Sequence, residues 1–206
     1  MVAIISVLAG MLVPSVSAWS STGGRRSAVT TLMNIFEQAR VAALEAGRPV
    51  YVVFWRRQFP EHDAVMVLRG PQESGGPYEQ LTRWIKLPRG VLLHQPMAGQ
   101  SMLSKSGSGH QLGRLGDNQT NLPKPLRDAI AEPGGQLDYM EFNGFGGVAH
   151  PNRPGALKLI LTEGVRGTGG TEALFSAQNQ SFAGFEIISL SRFTGRSQLD
   201  VSTVTN

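Results

Sequence analysis

The sequence predicts an α+β protein in which a long N-terminal helix, a membrane stem followed by an amphipathic half, packs on an antiparallel β-sheet. Three observations carry this expectation. Met1 to Pro14 are almost wholly apolar and hold no charged side chain. From Val29 the apolar residues recur at steps of three and four, the spacing of one helical face. After Gly47-Arg48-Pro49 the pattern changes to short β-branched and aromatic runs between turn residues. A helix followed by many hairpin-length strands favours an antiparallel sheet over a parallel doubly wound one.

The N-terminal run comes first. As a helix at about 1.5 Å per residue, Met1 to Val13 would extend about 20 Å, short of a hydrocarbon core of about 30 Å. Continuing through Ser15-Val16-Ser17-Ala18 to Trp19 brings it to about 28 Å, with an aromatic ring at interface depth. Ile4, Ile5, Val7, Leu8, Met11, Leu12, Val13 and Pro14 are the residues expected to form a membrane stem. A secretory signal peptide is a second reading, since Val16-Ser17-Ala18 suits cleavage after a small residue. Against it, no Lys or Arg precedes the run and Pro14 interrupts it. A buried core helix is opposed by thirteen residues without a polar face. The first basic residues, Arg25 and Arg26, follow the run, which by the positive-inside rule would leave the folded part in the cytoplasm. A stem both short and wrongly flanked leads to the expectation of further coding residues upstream of Met1.

The helix continues on the face formed by Val29, Leu32, Met33, Phe36, Ala39 and Ala43, with Glu37, Arg40 and Glu45 off it. Gly47 and Pro49 stop it. Residues 1–48 are thus expected as stem and amphipathic helix, and 49–206 as a β-rich head large enough for its own core. Within the head, Val50 to Trp55 pairs with Ala64 to Leu68 as a hairpin. Further strands are expected at Leu81 to Leu87, Val91 to His94, Leu137 to Phe142, Leu157 to Thr162 and Phe185 to Ser191. Residues 97–135 and 164–183, rich in Gly, Ser, Asn and Gln, read as long loops.

Composition excludes several chemistries. The chain has no cysteine, which removes disulfides, thiol catalysis and cysteine metal sites. Its net charge of +4 is mild and permits an acidic partner without requiring one. His62, His94, His110 and His150 are scattered and show no metal-ligand spacing. Ser104 and Ser106 lack a nucleophile-elbow context. Gly144-Phe145-Gly146-Gly147 lacks the lysine of a phosphate loop and reads as a turn. Asp117 with Asn118 lacks the spaced acidic loop of a calcium site. Arg56-Arg57, and Arg192 with Arg196, are basic pairs that read as solvated surface, with phosphate contact as the alternative. No catalytic residue, cofactor or metal is expected.

One set of residues carries a resemblance. The run ending at Pro14, Arg26-Ser27-Ala28, Leu32, Gln38-Ala39-Arg40 and Ala43 through Val50 resemble minor pseudopilins of the GspH/FimT type, a type IV pilin-like family. So do Leu87-Pro88-Arg89-Gly90-Val91, Phe142-Asn143-Gly144-Phe145-Gly146 and Ile188-Ser189 through Thr194-Gly195-Arg196. The order and approximate spacing match over most of the chain, with the long loops unmatched. The middle region also resembles the Verru_Chthon cassette proteins, a pilin-like branch. The resemblance implies a pilin-like fold and a single-pass inner-membrane stem with the head in the periplasm. It also implies leader cleavage and N-methylation by a prepilin peptidase, and assembly with other pilin or pseudopilin subunits in a type II secretion or type IV pilus machine. The family's leader glycine, the aromatic after it and the glutamate near the mature N-terminus are missing from the printed sequence. The upstream codons are therefore expected to encode a short basic leader ending in Gly, then Phe or Met, with Glu at the fifth position.

The function expected on this reading is structural and non-enzymatic. An alternative is a DNA-binding minor pilin for DNA uptake, since some members of the family bind DNA through a basic C-terminal segment. Gly195-Arg196-Ser197-Gln198 has one arginine where that motif has two, so Arg192 and Arg196 would share the contact. A third reading is an exported soluble β-domain with a cleaved signal peptide.

Overall fold

The computed structural model describes the backbone of residues 2–57, 61–94, 121–132, 136–151, 156–167, 172–174 and 185–200. It describes side chains from Gly23 onward, apart from residues 136 and 172–174. Helix α1 spans Val2–Ala46. Strands β1 (Val50–Arg56), β2 (Ala64–Arg69), β3 (Glu79–Gln80), β4 (Ile85–Lys86) and β5 (Val91–His94) follow it. Helix α2 (Lys124–Ala131) precedes β6 (Gln136–Phe142), β7 (Val148–His150), β8 (Leu157–Arg166), β9 (Glu172–Leu174), β10 (Glu186–Leu190) and β11 (Ser197–Asp200).

The strands build two antiparallel sheets. The first runs β3-β2-β1-β6-β7 with β4 also on β2; the second runs β11-β10-β8-β5 with β9 also on β8. Strand β1 sits at the centre of the first sheet. Its hairpin with β2 sets Val50 opposite Arg69 and Trp55 opposite Ala64, and on its other edge Val50 faces Phe142. All seven β1 residues are buried, because both faces of this sheet are covered. That is why its sequence is a continuous apolar run and not an alternation.

On the inner face, Val50, Val52, Phe54, Val65, Val67, Met140 and Phe142 share one core with Leu93, Leu157, Leu159, Leu161, Ile188 and Leu190 of the second sheet. The buried stripe of α1 completes that core: Ala28, Val29, Leu32, Ile35, Phe36, Ala39, Ala42 and Ala43. Phe36 meets Phe54 edge-on at 6.2 Å between ring centres, a favoured aromatic geometry. Each such apolar side chain withdrawn from water stabilises the fold by about 1.5–3 kcal/mol. Gly47 ends the helix at φ +62°, the left-handed turn that glycine adopts without a Cβ penalty. The outer face of the first sheet carries Tyr51, Val53, Trp55, Met66, Leu68, Leu137 and Tyr139, and Leu126 and Ala129 of α2 close over it.

The expected fold class is corrected on three points. Among the described residues no helix is long and apolar enough to cross a membrane. Secondly, the amphipathic half does not lie on a single pilin-like sheet but packs against two. Thirdly, the interval expected as loop at 97–135 contains α2, a second helix. The side chains of Ile4, Ile5, Val7, Leu8, Met11, Leu12, Val13 and Pro14 lie outside the described ones.

Smaller departures have local causes. The strand expected at Leu81 to Leu87 shrinks to β4 at Ile85–Lys86, with β3 lying just before it; between them the Thr82 hydroxyl accepts the Val67 N–H at 2.9 Å and takes the place of a ladder bond. The interval 164–183 contains the end of β8 and all of β9, which pair Gly164 with Leu174.

A buried ion pair fastens the first hairpin to the second sheet. Asp63 and Arg166, with side chains 0% and 1% exposed, meet at 2.6 Å. One Asp63 oxygen accepts from the Arg57 N–H at 2.9 Å and the other from the Leu93 N–H at 2.8 Å. The two terminal nitrogens of Arg166 donate one to each carboxylate oxygen, and also to the carbonyls of Arg57 and Leu93. Burial of a charge is tolerated when it is paired and hydrogen-bonded on all sides, and this network is closed.

Candidate functional site

Among the described residues, those singled out for chemistry do not converge. Arg56, read as a surface residue, is buried and bonds Asp138 through Nε at 2.9 Å and Nη2 at 2.8 Å. This corrects the reading, and the cause is strand parity: Arg56 follows Val52 and Phe54 onto the inner face. Arg57 pairs with Glu61 at 2.7 Å and Glu132 at 2.8 Å, and its guanidinium lies 4.1 Å over the Trp55 ring. His62 meets the Leu87 carbonyl at 3.1 Å, and His150 stacks on Tyr139 at 4.4 Å. Ser104, Ser106, His110, Asp117 and Asn118 lie outside the described residues. Among the described residues no group of three His, Asp or Glu side chains could hold a metal ion.

What the fold does assemble is a surface at the C-terminal half of α1. Two turns meet there. In the first, between β6 and β7, the Asn143 carboxamide oxygen accepts the N–H groups of Phe145 and Gly147, each at 3.0 Å. In the second, between β10 and β11, the Gly195 N–H donates to the Ser191 carbonyl at 2.7 Å, and Ser191 N–H to Arg196 at 2.9 Å. The turns are bonded to each other, Val148 N–H to the Arg192 carbonyl at 2.8 Å. Gly195, at φ +64°, would press a Cβ into the Gly146 carbonyl and Phe142, so only glycine allows this approach.

Each turn carries a phenylalanine pointing into solvent: Phe145 is 92% and Phe193 90% exposed. Leu44 of α1 packs beside Gly146. Arg192 and Arg196 flank Phe193 in sequence, and Arg196 acts electrostatically on Glu37. On the sheet-one side of the helix, Glu37, Gln38, Val41, Ala42 and Glu45 line an open groove of about 470 Å³ together with Leu81 and Arg69. Sequence reasoning marked Arg192 and Arg196 and the turn at Gly144–Gly147, but neither the second turn nor the groove. Its signal is the second stripe of α1, at positions 34, 37, 38, 41 and 45.

Glu37 and Arg40 form a two-pronged pair on the helix surface, at 2.8 and 3.1 Å. The Arg40 hydrogen bond, aided by its charge and that of Arg196, holds the Glu37 carboxyl below its ordinary value, and Glu37 in turn raises Arg40. A lowered carboxylate stabilises the fold above its unfolded-state pKa, and that contribution disappears as pH falls through the lower folded value. The pair is exposed, so the effect is screened to a few tenths of a kcal/mol. Glu37→Gln is expected to cost that amount at pH 7 and nothing at pH 2, read from urea unfolding at both. A larger loss at pH 2 than at pH 7 would contradict the assignment.

The three segments that carry the family resemblance sit at junctions. Leu87 N–H bonds the Asp63 carbonyl at 2.8 Å, and Val91 N–H closes a turn on Pro88 at 3.1 Å beside Gly24 of α1. Gly144 lies against the backbone of Gly47 and Arg48, and Gly195 against Gly146. The chain matches no family model, no curated protein and no solved structure.

Proposed function

We propose that this chain is a structural, non-catalytic subunit of a pilin-like assembly, of the kind found in type II secretion or type IV pilus machines. The observation that supports this reading is the convergence of its resemblance-bearing segments on α1. Residues 87–91 pack beside Gly24, while 142–146 and 194–196 pack against each other and against the C-terminal end of the helix, so a shared motif order would reflect a shared way of holding a helix in a β-rich body. The partners on this reading are other pilin or pseudopilin subunits, and the location is the inner membrane with the β-rich part in the periplasm.

The DNA-uptake alternative has weaker support. Arg196 lies within electrostatic reach of Glu37, which offsets part of its attraction for phosphate, and two arginines make a small counterion-release footprint.

Fractionation tests the proposal. Full-length chain produced in a Gram-negative host is expected in the membrane fraction, with its β-rich part digested when protease is added to spheroplasts. It is also expected to cross-link to co-expressed pilin-like subunits. A soluble product whose N-terminus begins at Trp19 would overturn the reading in favour of an exported domain.

A further inference from the structure

We infer that the C-terminal half of α1 and its two flanking turns form a twofold interface with a second copy of this chain, in which the phenyl rings of Phe145 and Phe193 enter the partner's groove.

Among the described residues the exposed apolar surface is concentrated there. Among the described residues the exposed large apolar side chains are Val41, Leu44, Phe145, Phe193 and Leu199. Val41 and Leu44 are on α1, Phe145 and Phe193 on the turns beside it, and Leu199 on β11, which packs along α1. Single exposed apolar residues are ordinary, whereas a cluster marks an interaction surface. Moreover, the two phenyl rings are not on loose chain. The turns that carry them are bonded together and packed by glycine contacts, so little ordering entropy is lost on docking.

The occupant follows from what lies on either side of the helix ridge. On one side stand the phenyl rings with Arg192 and Arg196. On the other lies the groove, with Val41, Ala42 and Leu81 as apolar lining and the carboxylate of Glu45 on its wall; Glu37, nearer the ridge, is held by Arg40 of the same helix at 2.8 Å. Arg69, also in its lining, is engaged at 3.0 Å by Glu79. Apolar knob matches apolar groove, and the Arg192–Arg196 flank matches the Glu45 carboxylate at the rim. Because knob and groove lie on opposite sides of one ridge, a twofold axis through Val41 and Leu44 satisfies both at once, which is the self-complementarity an isologous contact requires. Charge opposition of this kind fixes register and suppresses wrong pairings. The inference does not depend on the pilin-like reading.

Charge exchange tests it on the full chain, held in mild detergent so that residues 1–14 do not associate, with sedimentation velocity as the readout. The parent chain is expected to dimerise, and Phe145→Ala with Phe193→Ala to weaken the dimer at least tenfold. Arg192→Glu with Arg196→Glu sets acid against acid; Glu37→Arg with Glu45→Arg sets base against base. Each variant alone is expected to be at least tenfold weaker, and an equimolar mixture of the two to regain dimer, since both knob-groove pairs are again opposite in charge. A parent chain monomeric at 100-fold the concentration used for the variants would overturn the inference. So would a dimer indifferent to the phenylalanine changes, or a mixture no tighter than its parts. A monomeric chain that instead binds a single-stranded oligonucleotide through Phe145 and Phe193 would also overturn it and revive the nucleic-acid alternative.

Discussion

Asp63→Ala is expected to leave the protein unfolded or nearly so at 25 °C. Removing the carboxylate strands the Arg166 guanidinium at 1% exposure, and breaking one half of a buried pair costs about 3–5 kcal/mol. It also strips acceptors from the Arg57 and Leu93 N–H groups, and each buried donor left unpaired costs about 1–3 kcal/mol more. The sum approaches the whole stability of an ordinary domain, about 5–15 kcal/mol. Circular dichroism and urea unfolding would show it. Asp63→Ala with Arg166→Met removes the stranded charge as well, so the double variant is expected to be more stable than Asp63→Ala alone. A single variant that unfolds within about 1 kcal/mol of the parent would show that the network contributes little.

Gly195→Ala is expected to have the second-largest effect. The residue sits at φ +64°, and its added Cβ would meet the Gly146 carbonyl and lie 2.9 Å from a Phe142 ring carbon. The backbone term is about 1–2 kcal/mol and the overpacking term about 1–3 kcal/mol. Gly47→Ala is the internal control, since Gly47 has φ +62° with nothing within 4 Å of the added carbon. It should incur the backbone term alone. Equal losses for the two variants, measured by chemical denaturation, would mean that the two turns are not held as tightly together as their contacts imply.

These two sites differ in how far the sequence reveals them. Gly195 stands in a motif with a turn-like composition, and Gly144 in another, so a close backbone approach could be anticipated. The helix face from Val29 to Ala43 and the β1–β2 hairpin were equally plain, because periodicity and β-branching are local properties. Asp63 and Arg166 are 103 residues apart, and nothing in the local pattern around either signals the other. Arg56 misled for a related reason: two adjacent arginines read as surface, yet strand alternation puts the first inward, where Asp138 of β6 receives it. Helix α2 was hidden by its polar surroundings, although Leu126, Ala129 and Ile130 carry a helical spacing after Pro123. The fold class departs at α2 and at the second sheet, because a series of hairpin-length strands does not reveal how many sheets they build.

The seating of α1 against both sheets has a mechanical consequence. Its buried stripe from Ala28 to Ala43 covers about 24 Å of helix, and Arg25 is tied to Glu163 of β8 at 2.7 Å near the start of that stretch. A pull on the N-terminal end along the helix axis would load these contacts side by side, in shear, instead of opening them one after another. Resistance to force then scales with the whole stripe, and the rate of forced unfolding becomes the relevant stability. A chain pulled by this helix would bear tension through its core while its two phenylalanine turns remained in place.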